Sequence, residues 1–407
     1  MAVPEPEPKP GGGEDLPTPP PPPPLTTTAT TAASDRPVRP HRPVRDAVRS
    51  FSTQWFLVPQ GTAVLATILH QLDYRFRGLT VISYLFWVAA AALLLSTLGI
   101  YAVRLALFPR HVLHTLRRDE VELAGLSSVS IAFTSVVQMA SLTLVSAWGA
   151  PWGEVVYVLW WAAFALAALV ALVLPFLFIK VYPSGVPHIS PATQMPVIAA
   201  LTAAGGGGTI CASAALTSAQ QVPVIVVSYL LIGAGLPLVF ALDVLFWARL
   251  LGNDQPPRQK TFQDMILCGP WGQSSFALQM LGRAVVGGSF AGYASGVFLA
   301  ADAAGPVGYT SIFAGLTAWG LATFWWFFAI MGVLHAFLDG SVPKKIPYTL
   351  AGWALVFPWG VYTNAAVQLG KLLDSEAFKV WSTCLAIMLV AIWLVNVVFT
   401  IRMLARR

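Results

Sequence analysis

Residues 267 to 288 read LCGPWGQSSFALQMLGRAVVGG, a stretch set in surroundings apolar enough to cross a bilayer, yet holding a proline, five glycines, two glutamines and an arginine. A charge at the bilayer centre costs roughly 3 kcal/mol even on the lenient insertion scale. Arg283 therefore needs water, a partner or an interface close by. The rest of the chain decides which is on offer. Its 407 residues are 56% hydrophobic and 10% charged, with a mean hydropathy of +0.69, against about 25% charged for soluble domains. Windows of about 20 apolar residues suffice to span. Ten such windows fall near 54–71, 79–107, 124–148, 153–180, 192–218, 223–248, 264–296, 309–336, 346–370 and 379–402. The expected fold is an all-α polytopic membrane protein.

Residues 1–48 differ in kind. A proline run at 19–24 and TTTATTAA behind it leave almost no large apolar side chains, so the segment reads as a disordered, Pro-rich and basic tail. It lacks the apolar core of a secretory signal. The transmembrane domain is expected over 49–407.

The net charge of +6 is distributed by loop. Arg36, Arg39, Arg42, Arg45 and Arg49 precede the first window. Arg104, Arg110, Arg117 and Arg118 flank the second loop, Lys180 the fourth, Arg249, Arg258 and Lys260 the sixth, and Lys344 and Lys345 the eighth, with Arg402, Arg406 and Arg407 at the end. The alternate loops carry only Arg75, Arg77, Lys371 and Lys379. By the positive-inside rule both termini are cytoplasmic, with the tail against anionic lipid. This pattern follows a bilayer, and no nucleic-acid partner is expected. Cys211, Cys268 and Cys384 lie in separate windows without ligand spacing, which predicts neither a disulfide framework nor a metal site. His111 and His114 read as a solvated loop, and no phosphate-cradling glycine loop occurs. No cofactor is expected, and the absence of clustered His, Asp or Glu in the windows speaks against an intramembrane enzyme.

Polar residues alternate between windows. The fourth, VVYVLWWAAFALAALVALVLPFLFI, has no Ser, Thr, Asn or Gln. The third carries Ser127, Ser130, Thr134, Gln138 and Ser141 at helical steps on one face. The fifth has Thr202, Thr209, Ser213 and Thr217 around GGGG at 205–208, the seventh Gln273, Ser274, Ser275, Gln279 and Arg283, and the ninth Thr349, Thr363, Asn364 and Gln368. The alternation predicts five helical hairpins, each pairing a polar inner helix with an apolar outer one, around a central pore lined by the odd helices. A lone Ser or Thr fits the plainer reading, a bond to its own backbone. Prolines at 59, 196, 270 and 358 are expected to kink the odd helices.

The motifs GPWGQSSFALQMLG and GWALVFPWGVYT, with QGTAVLATILHQLDYRF in the first window, resemble the tellurite-resistance/dicarboxylate transporter family. That family includes tellurite-resistance channels, plant slow anion channels, fungal malate transporters and fungal sulfite efflux pumps. The resemblance covers residues 54 to about 403 and is nearest to the sulfite pumps. It implies ten helices, a pore through the odd ones, a phenylalanine plug at Phe357 beside Pro358, and a homotrimer. LAGLSSVSIAFTS in the third window departs from the Pro-Met pair of fungal relatives.

Arg283 lies about 25 Å along a seventh span entered near residue 266, and Asp243 falls at another depth. Arg283 is therefore read as an anion-attracting residue of the pore, with snorkelling or carbonyl capping as alternatives. Gly288, Gly292 and Gly296 form a GxxxGxxxG run expected to pack against a neighbouring helix. The four glycines at 205–208 either let a helix approach or keep the pore wide beside Phe357. His70 is the one titratable candidate for a proton relay in an odd window, so export driven by membrane potential is the simpler expectation. The function expected is a plasma-membrane anion exporter for sulfite or hydrogen sulfite. A C4-dicarboxylate carrier is the alternative, and a chloride or nitrate channel stands third.

Overall fold

The computed structural model of the chain describes residues 43–183, 185–252, 258–296, 298–338 and 348–405. The tail up to residue 42, Lys344, Lys345, Arg406 and Arg407 lie outside the described residues. Among those described there are ten helices of 15 residues or more. They are α1 (Leu57–Gln71), α2 (Leu79–Leu107), α3 (Ser127–Trp148), α4 (Pro151–Val181), α5 (Met195–Ser213), α6 (Ser218–Leu251), α7 (Cys268–Ala284), α8 (Ala301–Leu338), α9 (Val356–Leu372) and α10 (Glu376–Ala405). Strand pairing among the described residues is limited to one isolated bridge, Ser295 with Leu299.

Each expected window coincides with one of these helices, but their lengths separate them. Seven are long and apolar enough to cross a membrane: α2, α3 with its lead-in from Glu120, α4, α5 with its lead-in from Pro191, α6, α8 and α10. The other three, α1, α7 and α9, have 15, 17 and 17 residues. At 1.5 Å per residue they run about 23–26 Å, short of the roughly 30 Å hydrocarbon layer. Each is preceded by a stretch of 3₁₀ helix: Thr53–Phe56, Arg258–Leu267 and Leu350–Leu355. The tighter coil rises about 2 Å per residue and lengthens the rod at its beginning.

Pro59, Pro196, Pro270 and Pro358 stand at that change of geometry rather than in mid-helix, each the second or third residue of its α-helix. A proline has no N–H to offer. The first turn, where i→i−3 bonding gives way to i→i−4, is where the missing donor disturbs least.

Packing follows composition. Helices α1, α3, α5, α7 and α9 touch one another in order, and α9 returns to α1. Each also packs on the even-numbered helix that follows it. Nearly every residue of α1, α5, α7 and α9 is buried, whereas the even-numbered helices turn large apolar side chains outward, among them Leu95, Leu172, Leu230, Phe313 and Ile387. Apolar surface on this scale has no place in water and suits a lipid surround.

The seventh window ends earlier than its sequence suggests. Helix α7 stops at Ala284 and passes into a π-turn over Val285–Ser289, where Gly288 takes φ +105°. Gly296 has φ +63°. The run Gly288, Gly292, Gly296 is thus a turn and loop, and a Cβ placed on Gly288 or Gly296 would meet nothing within 4 Å. The expected helix-packing surface is thereby narrowed to Gly292, where an added Cβ would stand 3.0 Å from Ser218 Oγ at the start of α6, while Gly288 and Gly296 supply left-handed backbone that only glycine adopts cheaply.

Candidate functional site

The polar stripe of α3 faces inward throughout: Ser127, Ser130 and Thr134 have no exposure, and Gln138 and Ser141 almost none. Ser127 Oγ, Ser130 Oγ and Gln138 Nε2 find no hydrogen-bond partner among the described residues. On α7, Gln273 Nε2, Ser274 Oγ and Gln279 Oε1 are likewise unpartnered, as is Asn364 Oδ1 on α9. Each such buried group costs about 1–3 kcal/mol unless something satisfies it. The threonines behave otherwise. Thr134, Thr202, Thr209 and Thr363 donate to the carbonyls four residues back, at 2.7–2.9 Å, and their hydroxyl protons are spent on their own helices. The plainer reading holds for these four and for Ser141, which donates to Gln138 O at 2.8 Å, while Ser127, Ser130, Ser274 and the amides are left open.

Glycines bring two of the open amides to one place. A Cβ on Gly205 would stand 2.5 Å from Gln273 Nε2, and one on Gly206 would stand 2.9 Å from Thr134 Cγ2 and 3.5 Å from Gln138 Nε2. Gln138 of α3 and Gln273 of α7 thus reach successive residues of α5, each through space a side chain would fill. Gly207 admits Ser228 and Trp160, and Gly208 admits the Leu281 main chain at 2.8 Å. Of the two readings of GGGG, helix approach is the one the packing supports on every side of α5. Trp160 Nε1 seals this region by donating to Ala203 O at 2.9 Å.

Phe357 is 3% exposed. With Pro358 it borders a cavity of about 40 Å³ whose other walls include Gln54, Gln60, Met195, Ile198 and Ile266. That space suffices for a water or two. It lies where α1, α5 and α9 begin. Gln60 Oε1 is unpartnered there, so an aromatic ring closes a space that is otherwise partly polar.

Charged residues keep to the ends. Arg283 is exposed in the last turn of α7, the end of a helix rather than its middle. Asp243 on α6 is buried and accepts from Gln194 Nε2 at 2.6 Å, Trp271 Nε1 at 2.6 Å and Trp325 Nε1 at 3.1 Å. It ties the lead-in of α5, the start of α7 and α8 to α6. His70 approaches Ser83 at 3.4 Å.

The sequence reading missed a buried ion pair. Arg104, near the end of α2, meets Glu122 at 2.6 Å with both side chains 3% exposed. Glu122 also accepts from Ser52 Oγ at 2.5 Å and Thr53 N at 3.1 Å, and Thr53 Oγ1 donates to its carbonyl. One carboxylate thus joins the lead-ins of α1 and α3 to the end of α2. The available signal was an arginine inside an apolar window, counted instead as a loop cation.

The geometry is that of an α-helical membrane protein whose most buried helices carry most of its open polar groups. The profile of the SLAC1 family, described as voltage-dependent anion channel, matches residues 50–401. The chain belongs to that family, the group the motifs at 269–282 and 352–363 resemble. It is 28% identical over 360 residues to a sulfite efflux pump, SSU1, of Arthroderma otae, covering 87% of this chain and 91% of that one. It is 21% identical over 369 residues to the malic acid transport protein of Schizosaccharomyces pombe, covering 89% and 80%. An uncharacterized transporter of Methanocaldococcus jannaschii is 24% identical over 367 residues, covering 87% and 95%.

Proposed function

We propose that the chain is a plasma-membrane anion exporter carrying sulfite or hydrogen sulfite down the membrane potential. Ten helices cross as five hairpins with both termini cytoplasmic, and anions pass between α1, α3, α5, α7 and α9. The observation that carries this reading is the pair of open amide donors, Gln138 and Gln273, on either side of Gly205 and Gly206. Uncharged N–H groups replace part of an anion's hydration without holding it tightly, which is what conduction requires. Ser127, Ser130, Ser274, Gln279 and Asn364 continue the polar lining, with Thr134, Thr202, Thr209 and Thr363 offering oxygen lone pairs. A homotrimer in a lipid bilayer is the assembly expected from the family resemblance.

With the cell interior negative, each exported charge gains about 2.3 kcal/mol per 100 mV, and no coupled ion is required. Sealed proteoliposomes under a clamped potential test the proposal with sulfite, malate and chloride in parallel. Sulfite efflux should scale with voltage and persist without a pH gradient. Malate flux in the absence of sulfite flux overturns the assignment in favour of the dicarboxylate reading, which the malic acid transport relative supports.

Phe357 is proposed as the gate, closing the narrow space by steric block and by keeping it too apolar to stay wet. Phe357→Ala should raise anion flux several-fold and weaken discrimination among anions. Equal or lower flux from equal amounts of folded protein removes Phe357 from that role. Arg283, at the far end of α7, is proposed to draw anions by charge. Arg283→Ala should lower flux, and Arg283→Lys should keep part of it.

A further inference from the structure

The ends of α1 and α9 carry a second set of open groups, away from Phe357. Gln71 closes α1, and Gln368 stands one turn before the end of α9; they are 7% and 0% exposed. Gln368 Nε2 donates to Gln71 Oε1, and Lys371 Nζ donates to the main-chain oxygen of Gln71. The remaining halves of the two amides, Gln71 Nε2 and Gln368 Oε1, have no partner among the described residues. Exchanging N and O in both amides reverses the bond between them and leaves the same inventory, one NH₂ donor and one carbonyl acceptor. An apolar pair of similar size would fill this space without the cost of two unsatisfied polar atoms.

Charge gathers at the same end. Lys371 is half-buried and feels Asp73, Arg75 and Arg283 electrostatically. Arg75 is fixed by the carbonyls of Leu72 at 2.8 Å and His70 at 2.6 Å. Asp73 is the one acid of this set, which leaves two positive charges in excess. The neighbouring acids Asp374 and Glu376 are engaged by Lys379 at 2.8 and 2.9 Å, and Glu376 also by Tyr74 at 2.6 Å. An ammonium has three donors, and the bond to Gln71 uses one.

We propose that this mouth is a binding site for a singly protonated oxyanion, hydrogen sulfite above all. The ligand's oxygens accept from the free amide NH₂ and from Lys371 Nζ, and its own O–H donates to the free amide oxygen. Arg75 and Arg283 raise the local anion concentration at the rim. A halide has no proton to give and leaves the acceptor unsatisfied, so the site favours protonated oxyanions over chloride. The proposal rests on the anion-export reading and deepens it, placing a last station on the path at the mouth where α7 and α9 end.

The test is thermal denaturation of the detergent-purified protein titrated with sodium sulfite, buffered on the acid side of the second ionisation so that hydrogen sulfite predominates. Sodium chloride at matched ionic strength is the control. Hydrogen sulfite should raise the melting temperature of the parent well beyond chloride. Lys371→Met and Gln368→Leu should each weaken the apparent affinity about tenfold, and Lys371→Arg should keep most of it. Gln368→Leu removes no charge, so it carries the test if Lys371→Met fails to fold. Parental titration curves in both Lys371→Met and Gln368→Leu overturn the site, as does a parent that hydrogen sulfite stabilises no more than chloride. Flux in proteoliposomes separates the two failures. A parent that exports sulfite, with variants that titrate like it, sinks the mouth site alone, whereas a parent that carries only malate or chloride sinks the functional reading first.

Discussion

Helices α4 and α5 are neighbours in sequence and in space, yet α4 has 22% of its most apolar window buried and α5 has 94%. The helix without a single Ser, Thr, Asn or Gln is the exposed one, and the helix with four consecutive glycines and two buried threonines is the enclosed one. In water the order would be reversed, because the apolar stripe seeks the core. In lipid there is no such drive between helices, and close contact comes from small residues and hydrogen bonds. Glycine, serine and amides are therefore admitted to the interior among its apolar side chains, while the surface is left to leucine, valine and phenylalanine. A change that is mild on one side should be severe on the other.

The largest effect is expected at Glu122. Glu122→Ala leaves Arg104 charged and enclosed, which costs about 3–5 kcal/mol, and recovery of folded protein in detergent should fall sharply. Adding Arg104→Met should restore much of it, since an apolar pair can replace a buried ion pair. Failure of that rescue would mean that the links from Glu122 to Ser52 and Thr53 matter more than the ion pair.

Next comes Gly208→Val on α5. An added Cβ already stands 2.8 Å from the Leu281 main chain, so α7 must move. Overpacking of this kind costs about 1–3 kcal/mol or more, and the melting temperature should drop clearly. A parental melting temperature would show the α5–α7 contact to be loose. The same measurement on Gly99→Ala in α2, where nothing lies within 4 Å of the new methyl, should give no loss and a gain of up to about 1 kcal/mol from helix propensity. The smallest effect belongs to Leu172→Ala on α4. Its side chain is 75% exposed, and the change should stay within about 0.5 kcal/mol. A loss as large as that at Gly208 would place this outward face in a contact between copies.

Much of this was legible beforehand because a bilayer is a simple solvent. Window length and hydropathy located the helices, and glutamine, which falls only in alternate windows, marks those now seen to be buried. Other readings needed the packing. Periodicity treated the hydroxyls of one stripe alike, but Thr134 and Ser141 donate to their own helix whereas Ser127 and Ser130 stay open. It extended the seventh helix through Gly296, although a positive φ at Gly288 ends the run. It treated Pro59, Pro196 and Pro270 as kinks, although each stands at a 3₁₀-to-α junction.

By itself the sequence determined which segments are helical, which of them suit the enclosed positions, and to which family the motifs point, because these depend on composition and spacing along one chain. Only the tertiary structure decided that Gln138 and Gln273 come to adjacent glycines, that Arg104 and Glu122 meet, and that Gln71 pairs with Gln368 across almost three hundred residues. Such pairings depend on which helix faces reach hydrogen-bond distance once packed, and that geometry leaves no periodic trace in the sequence of either partner.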